Sequence, residues 1–179
     1  MAGTAGIRKS SAWSAETMGL LAEEQTPAVL FVCTANICRS PMAAALFRSI
    51  LKENGVDPTF WRIESAGTWA TKGRPAAPEV VALLAARGMN LKAHRSRMLD
   101  QEMIKRFDLV ITMETGHKEA LQAEFRPSRE RIYTLAELAG ENGSVEDPMG
   151  GPPEAYTDAA NEIERLLRLG LAEIISKTK

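Results

Sequence analysis

Val29-Leu30-Phe31-Val32 is apolar at every position, with no polar residue alternating through it. A strand with one wet face alternates. A run like this one suits a strand covered on both faces, as in a parallel sheet with helices packed against each side. The rest of the chain repeats the theme. Residues 61–66 alternate like a strand, 78–88 read as a helix with Val80, Val81, Leu83 and Leu84 on its buried side, and 107–113 are a second apolar strand. Residues 115–125 are helical and 131–134 form a short strand. From Glu154 a long amphipathic helix carries Ile163, Leu166, Leu167, Leu171, Ile174 and Ile175 at helical spacing. Gly170 is expected to interrupt it at a cost of roughly 1 kcal/mol relative to alanine. Strands alternating with helices predict βαβ units and an α/β fold whose parallel sheet is covered on both faces. In such sheets ligands bind beyond the carboxyl ends of the strands.

The chain has 179 residues, a length that fits one domain with its own core. Residues 1–27 are rich in small and polar side chains and read as a mobile N-terminal extension, although 16–24 can form a helical turn or two through Met18, Leu20 and Leu21. Order is expected from Ala28, and 28–179 are read as a single domain. The net charge is −1 and no basic run stands out, which argues against nucleic acid or a membrane surface as the main partner. No segment approaches the ~18–20 apolar residues of a membrane span, and no signal-peptide core follows Arg8 and Lys9, so a cytoplasmic protein is expected. Two cysteines, Cys33 and Cys38, are too few for a disulfide framework.

The loop after the first strand reads Cys33-Thr34-Ala35-Asn36-Ile37-Cys38-Arg39-Ser40-Pro41. Ser40 as N-cap, Pro41 at the first helical position and the alanine-rich 42–51 mark a helix start. A loop of this length can curl so that its amide N–H groups point inward as an anion nest. The helix N-terminus adds partial positive charge at the same place. Arg39 contributes a planar fork for two phosphate oxygens. Cys33 in such a bowl is favoured as thiolate, a nucleophile facing a bound phosphorus atom. Taken singly, a cysteine ending a strand is usually a small buried residue, and an arginine at a helix start is usually solvated. The combined spacing, between a buried strand and a marked helix start, is far more specific. A zinc site is a poor alternative, because the only histidines, His94 and His117, lie in other segments. His94 is expected to be a hydrogen-bonded structural residue. Cys38 is either packed as a small side chain or close enough to Cys33 to pair with it on oxidation.

The stretch from Val29 to Met42 resembles the signature loop of the low-molecular-weight protein-tyrosine-phosphatase family, and similarity continues through Ser65-Ala-Gly-Thr68, residues 107–113 and Asp147-Pro148. The resemblance implies a three-layer αβα fold around a four-stranded parallel sheet. It also implies a phosphorylated protein as substrate, no cofactor and no metal; a monomer is expected. It makes Cys33 the nucleophile, Arg39 the phosphoryl-binding cation and Asp147 the general acid. Thr34, Ala35, Asn36, Ile37, Cys38, Arg39 and Ser40 become the phosphate-binding loop. Asn36 would adopt the left-handed backbone the loop requires, Ser40 would donate to the Cys33 sulfur, and Ser65 would hydrogen-bond Asn36. An acid in the Gly/Pro-rich stretch around Asp147 suits the task, since mobile loops often carry catalytic groups.

The substrate cues conflict. Asp147-Pro148-Met149-Gly150-Gly151 resembles the bacterial branch that contains protein-arginine phosphatases, whereas the family's eukaryotic-like members usually carry aromatic residues directly after Asp-Pro, which stack on a tyrosyl ring. Ile37 stands where that branch has threonine and resembles the tyrosine-phosphatase form, offering an apolar wall to an aryl ring. Ile37 lies inside the phosphate loop itself and outweighs the other cue, so phosphotyrosine is expected, with phosphoarginine as the alternative. Trp69 and Met149 are candidate substrate walls. Arsenate reductases share the loop type but need further cysteines. A non-catalytic phosphate-binding module would not need both Cys33 and Asp147.

Overall fold

The computed structural model describes residues 26–178. The expected mobile extension, and the helical turn within it, lie outside the described residues except for Thr26 and Pro27. Order reaches back to Pro27, whose carbonyl accepts from Arg62 N at 2.8 Å.

Four strands form one parallel sheet: β1 (Ala28–Cys33), β2 (Arg62–Gly67), β3 (Leu109–Thr112) and β4 (Ile132–Thr134), in the order β2-β1-β3-β4. The helices are α1 (Arg39–Glu53), α2 (Pro78–Ala86), α3 (Gln101–Ile104), α4 (Thr115–Glu124), α5 (Leu135–Leu138) and α6 (Pro153–Ser176). Among the described residues no helix is long and apolar enough to cross a membrane.

The apolar run of β1 explains the layering. Successive side chains of a strand point to opposite faces. Val29, Phe31 and Cys33 enter one core with α1, α2, α5 and α6. Ala28, Leu30 and Val32 enter a second core with Met103 and Ile104 of α3 and Leu121 of α4. One strand therefore serves two cores, and the three-layer αβα expectation holds. The exposed edge, β2, is covered by two guanidinium groups: Arg48 donates to the Ile63 carbonyl and Arg97 Nε to the Ser65 carbonyl at 2.9 Å. That occupies acceptors a second sheet would otherwise use.

The chain leaves β1 toward β2 and later returns to β3 on the other side of β1. The loops following β1 and β3 thus diverge at a switch point, where a ligand crevice opens. Asp108 was expected within a strand. It instead precedes β3, and its Oδ2 accepts from Ala28 N at 2.8 Å, tying down the start of β1. Trp61 likewise falls outside β2 and packs edge-on against Phe47, ring centres 5.6 Å apart.

Two sequence expectations change. Ser40 does not cap α1; the helix begins at Arg39, and the Ser40 hydroxyl is spent inside the loop described below. Gly170 does not interrupt α6, which runs through it. A Cβ there would stand 2.9 Å from the Leu138 carbonyl oxygen, so glycine is what lets α6 lie against the end of α5. Gly170→Ala is therefore expected to lose more in this contact than the ~1 kcal/mol it gains in helix propensity. A net loss of about 1 kcal/mol would lower Tm by about 2–4 °C in thermal unfolding; a higher Tm would mean that the Leu138 backbone yields.

Candidate active site

Cys33 is the last residue of β1 and is buried, as is Arg39 at the start of α1. The segment between them turns on Asn36, the one described non-glycine residue with a positive φ, 55°. Four of the loop's carbonyls are taken from outside it. Cys33 O accepts from Thr68 N and Thr34 O from Trp69 N, both at 2.9 Å, and Ile37 O accepts from Ala77 N at 2.8 Å. Asn36 O accepts from His94 Nε2 at 2.7 Å. The amides of residues 35–40 donate to no described protein acceptor, which leaves them available to an anion.

Asn36 is fully buried and fully bonded. Its Nδ2 donates to Ser40 Oγ and to Ser65 Oγ, both at 2.9 Å, and its Oδ1 accepts from Arg97 N at 3.0 Å. The expected Asn36–Ser65 contact is present. Asn36 fills an acceptor site of Ser40, whose hydroxyl lies 3.0 Å from Cys33 Sγ, where either atom can donate, and also donates to the Ala66 carbonyl at 3.3 Å. His94 is the structural histidine expected. Burial holds its pKa below the ordinary imidazole value, so near neutral pH its one N–H is on Nε2, facing the Asn36 carbonyl. Gly67 completes the frame: a Cβ there would lie 2.4 Å from Thr34 O and 3.0 Å from Asn36 N, so the Ser65-Ala-Gly segment can press against the loop only with glycine.

Arg39 Nη2 donates to Asp147 Oδ2 at 2.7 Å, and Nη1 donates to Glu114 Oε1 and to the Val145 carbonyl, the latter at 2.9 Å. A buried guanidinium needs such partners. Asp147, more than a hundred residues from Cys33 in sequence, is thereby brought to the same recess, which Cys33, Ala35, Ile37, Cys38, Arg39, Asp147 and Met149 line. With the Arg39–Asp147 pair closed, about 10 Å³ remains free there, too little for a phosphoryl group. Ile37 and Met149 also border a larger groove with Ala77, Glu79 and Tyr156; the Tyr156 hydroxyl donates to the Met149 sulfur at 3.9 Å. Trp69 is not brought to this wall. Its backbone is bound to Thr34, but its ring is 81% exposed and borders neither recess.

Sequence reasoning missed Glu114 and His117. Both follow the carboxyl end of β3, the position where parallel-sheet ligands bind, and that placement was the available signal. His117 Nε2 lies 2.9 Å from Thr34 Oγ1. Among the described residues, no group of three or more histidine, cysteine or acidic side chains gathers as a metal site.

The two cysteines have different environments, and both are free. Burial, with Cys33 and Asp147 adding, pushes the Cys38 thiol up to about 12. Cys38 therefore remains a thiol across the neutral range. Iodoacetamide at neutral pH is expected to leave it unlabelled in the native protein and to label it after denaturation, read by peptide mass mapping. Native labelling of Cys38 would contradict this placement.

Residues 28–179 match the family model described as low molecular weight phosphotyrosine protein phosphatase. The chain is 38% identical over 141 residues to a protein-arginine-phosphatase of Bacillus subtilis (strain 168), covering 78% of this chain and 91% of that one. It superposes with a TM-score of 0.76 on the crystal structure of a low molecular weight protein tyrosine phosphatase from T. tengcongensis, at 39% identity, covering 82% of this chain and 98% of that one. A third relative, 37% identical with a TM-score of 0.75 over 85% of this chain and 97% of its own, is an arginine phosphatase solved as a cysteine-to-serine mutant with a phosphorylated active-site serine.

Proposed function

The chain belongs to the low molecular weight phosphotyrosine protein phosphatase family, and from that premise we propose that it hydrolyses phosphotyrosine on protein substrates through a phospho-cysteine formed on Cys33. The observation that carries the reading is the convergence of Cys33, Arg39 and Asp147 on one recess, beside a loop whose amides have no described protein acceptor.

In the first step the Cys33 thiolate forms an S–P bond as the P–O bond to the tyrosyl oxygen breaks. Asp147 gives its proton to that oxygen, which leaves as the phenol. The loop amides and Arg39 hold the three remaining phosphoryl oxygens as charge redistributes. In the second step water attacks phosphorus, Asp147 takes its proton, and the S–P bond breaks to return the thiolate and release phosphate. The Ser40 hydroxyl, 3.0 Å from the sulfur, stabilises the thiolate both as nucleophile and as leaving group. The relative with a phosphorylated active-site serine in place of cysteine supports a covalent intermediate on the loop's nucleophile.

Ile37 favours an aryl leaving group. It lines the recess between Cys33 and Met149 with no hydroxyl to offer a nitrogen-linked phosphate. Phosphoarginine is the second reading, favoured by the Asp147-Pro-Met-Gly-Gly loop and by the Bacillus subtilis relative's name. The test is turnover of phosphotyrosine and phosphoarginine peptides side by side, with chelator present. Phosphotyrosine is expected to be preferred, and Cys33→Ala to abolish turnover of either. Activity surviving Cys33→Ala would overturn the mechanism; a phosphoarginine preference would overturn the weight placed on Ile37.

The closed Arg39–Asp147 pair predicts a second outcome. Asp147→Asn should lower kcat by about 10²–10⁴-fold, the usual contribution of a general acid. It should also tighten inorganic phosphate binding by about 2–5-fold, because Arg39 loses a competing anion whose exposed pairing is worth ~0.5–1 kcal/mol. Calorimetric titration with phosphate reads the second effect, and unchanged or weaker binding would exclude the competition.

A further inference from the structure

His117 is a largely buried titratable group that the mechanism above does not use. It sits in the first turn of α4 with its side chain 12% exposed. Its Nε2 faces Thr34 Oγ1 at 2.9 Å, and its Nδ1 is buried with no described hydrogen-bond partner. The charged groups facing the ring are Glu114, from the end of β3, with Oε1 at 3.9 Å; Arg39, from α1; and Asp147, from the loop before α6. Burial holds the ring below the ordinary imidazole value, so near neutral pH it carries one proton.

That proton has two possible positions. On Nδ1 it would be a buried donor with nothing to bond, while Thr34 spent its own proton on Nε2. On Nε2 it donates to Thr34 Oγ1 and also faces the Glu114 carboxylate; only a bare lone pair is then left unpaired at Nδ1. An orphaned buried N–H is the rarer and costlier of the two, so the proton belongs on Nε2. The consequence falls on Thr34. A hydroxyl that accepts from histidine keeps its one proton unspent. Thr34 directly follows Cys33 and is exposed, next in sequence to the recess-lining Cys33 and Ala35 without lining the empty recess itself.

We propose that the Thr34 hydroxyl is a substrate contact, donating to an oxygen of the bound phosphoryl group, and that His117 is the positioning residue that turns the hydroxyl proton toward it. The inference rests on the phosphatase reading above, since it needs a phosphoryl group over Cys33. It adds one side-chain donor of the loop to the amides and Arg39, oriented by a residue from outside the loop.

The test is the steady-state kinetics of p-nitrophenyl phosphate hydrolysis by the full chain, with Tm as the control for folding. Thr34→Val should lower kcat/KM by about 3–10-fold, the range of one lost neutral hydrogen bond. Thr34→Ser, which keeps the hydroxyl, should retain most activity. His117→Ala should lose a similar factor, and His117→Gln, which keeps an N–H at that reach, should restore most of it. The double variant Thr34→Val/His117→Ala should be no worse than the worse single one, because both remove the same donor. A Thr34→Val enzyme with wild-type kcat/KM, losses that multiply in the double variant, or a loss that Thr34→Ser does not rescue would each overturn the proposal. A failure of the phosphatase reading looks different: the unmodified chain would show no Cys33-dependent turnover.

Discussion

Asn36 is the constraint on which the site depends. A loop that must present its amides to an anion has to turn its carbonyls away, and at one point the chain has to take a left-handed step to do so. Asparagine tolerates that backbone better than most residues, but tolerance alone does not hold it there. The side chain binds Ser40 at the start of α1, Ser65 at the end of β2 and the Arg97 amide, while its carbonyl takes His94. Three separate segments therefore agree on one residue's conformation. The same bonds fill an acceptor site of Ser40 and hold its hydroxyl 3.0 Å from the Cys33 sulfur. Loop shape and the environment of the proposed nucleophile are thus set by one hydrogen-bond network, and Gly67 exists to let β2 reach it.

Arg39 imposes the second constraint. Its side chain is 1% exposed, and a guanidinium that deep must be paired. Glu114, from the end of β3, and the Val145 carbonyl hold one side of it, while Asp147 holds the other. These partners are not equivalent. Glu114 follows directly on a sheet strand, whereas Asp147 lies in a Gly/Pro-rich loop and is 43% exposed. On the proposed reading, a phosphoryl group entering the recess competes with Asp147 for Arg39 and, by displacing it, puts a carboxyl group beside the leaving oxygen. In the proposed mechanism, binding the substrate and placing the acid are one event.

Legibility in the sequence followed the range of the interaction. The buried strand β1, the loop with its Cys-x5-Arg spacing and the long amphipathic α6 are local patterns, and each was readable. So was the short α5 in principle, since Thr134 and Glu137 form a capping box. Ser40 was misread because serine before proline is a good local cap signal; the tertiary contacts to Asn36 and Cys33 outbid it. Gly170 was misread for the same kind of reason. Its cost to the helix is local, but its purpose is the close approach of Leu138 from another element. Trp69 could not be placed from sequence, because nothing in the chain says which way an exposed ring beside a loop will point.

The sequence by itself determined the fold class and the loop proposed to bind phosphate, because both are written in patterns no longer than one helix or one strand-loop-helix unit: a run apolar on both faces, a cysteine and an arginine with five residues between them, and a marked helix start. Only the tertiary structure decided which side chains meet that loop. Glu114, His117 and His94 each come from sequence positions with no motif of their own. Even Asp147, singled out through resemblance, acquires its partner only when the loop before α6 folds over Arg39. The physical reason is that a buried cation and a left-handed turn must be satisfied by whatever the packed elements bring within hydrogen-bond distance, and that distance is set by the packing of the sheet and helices, not by separation along the chain.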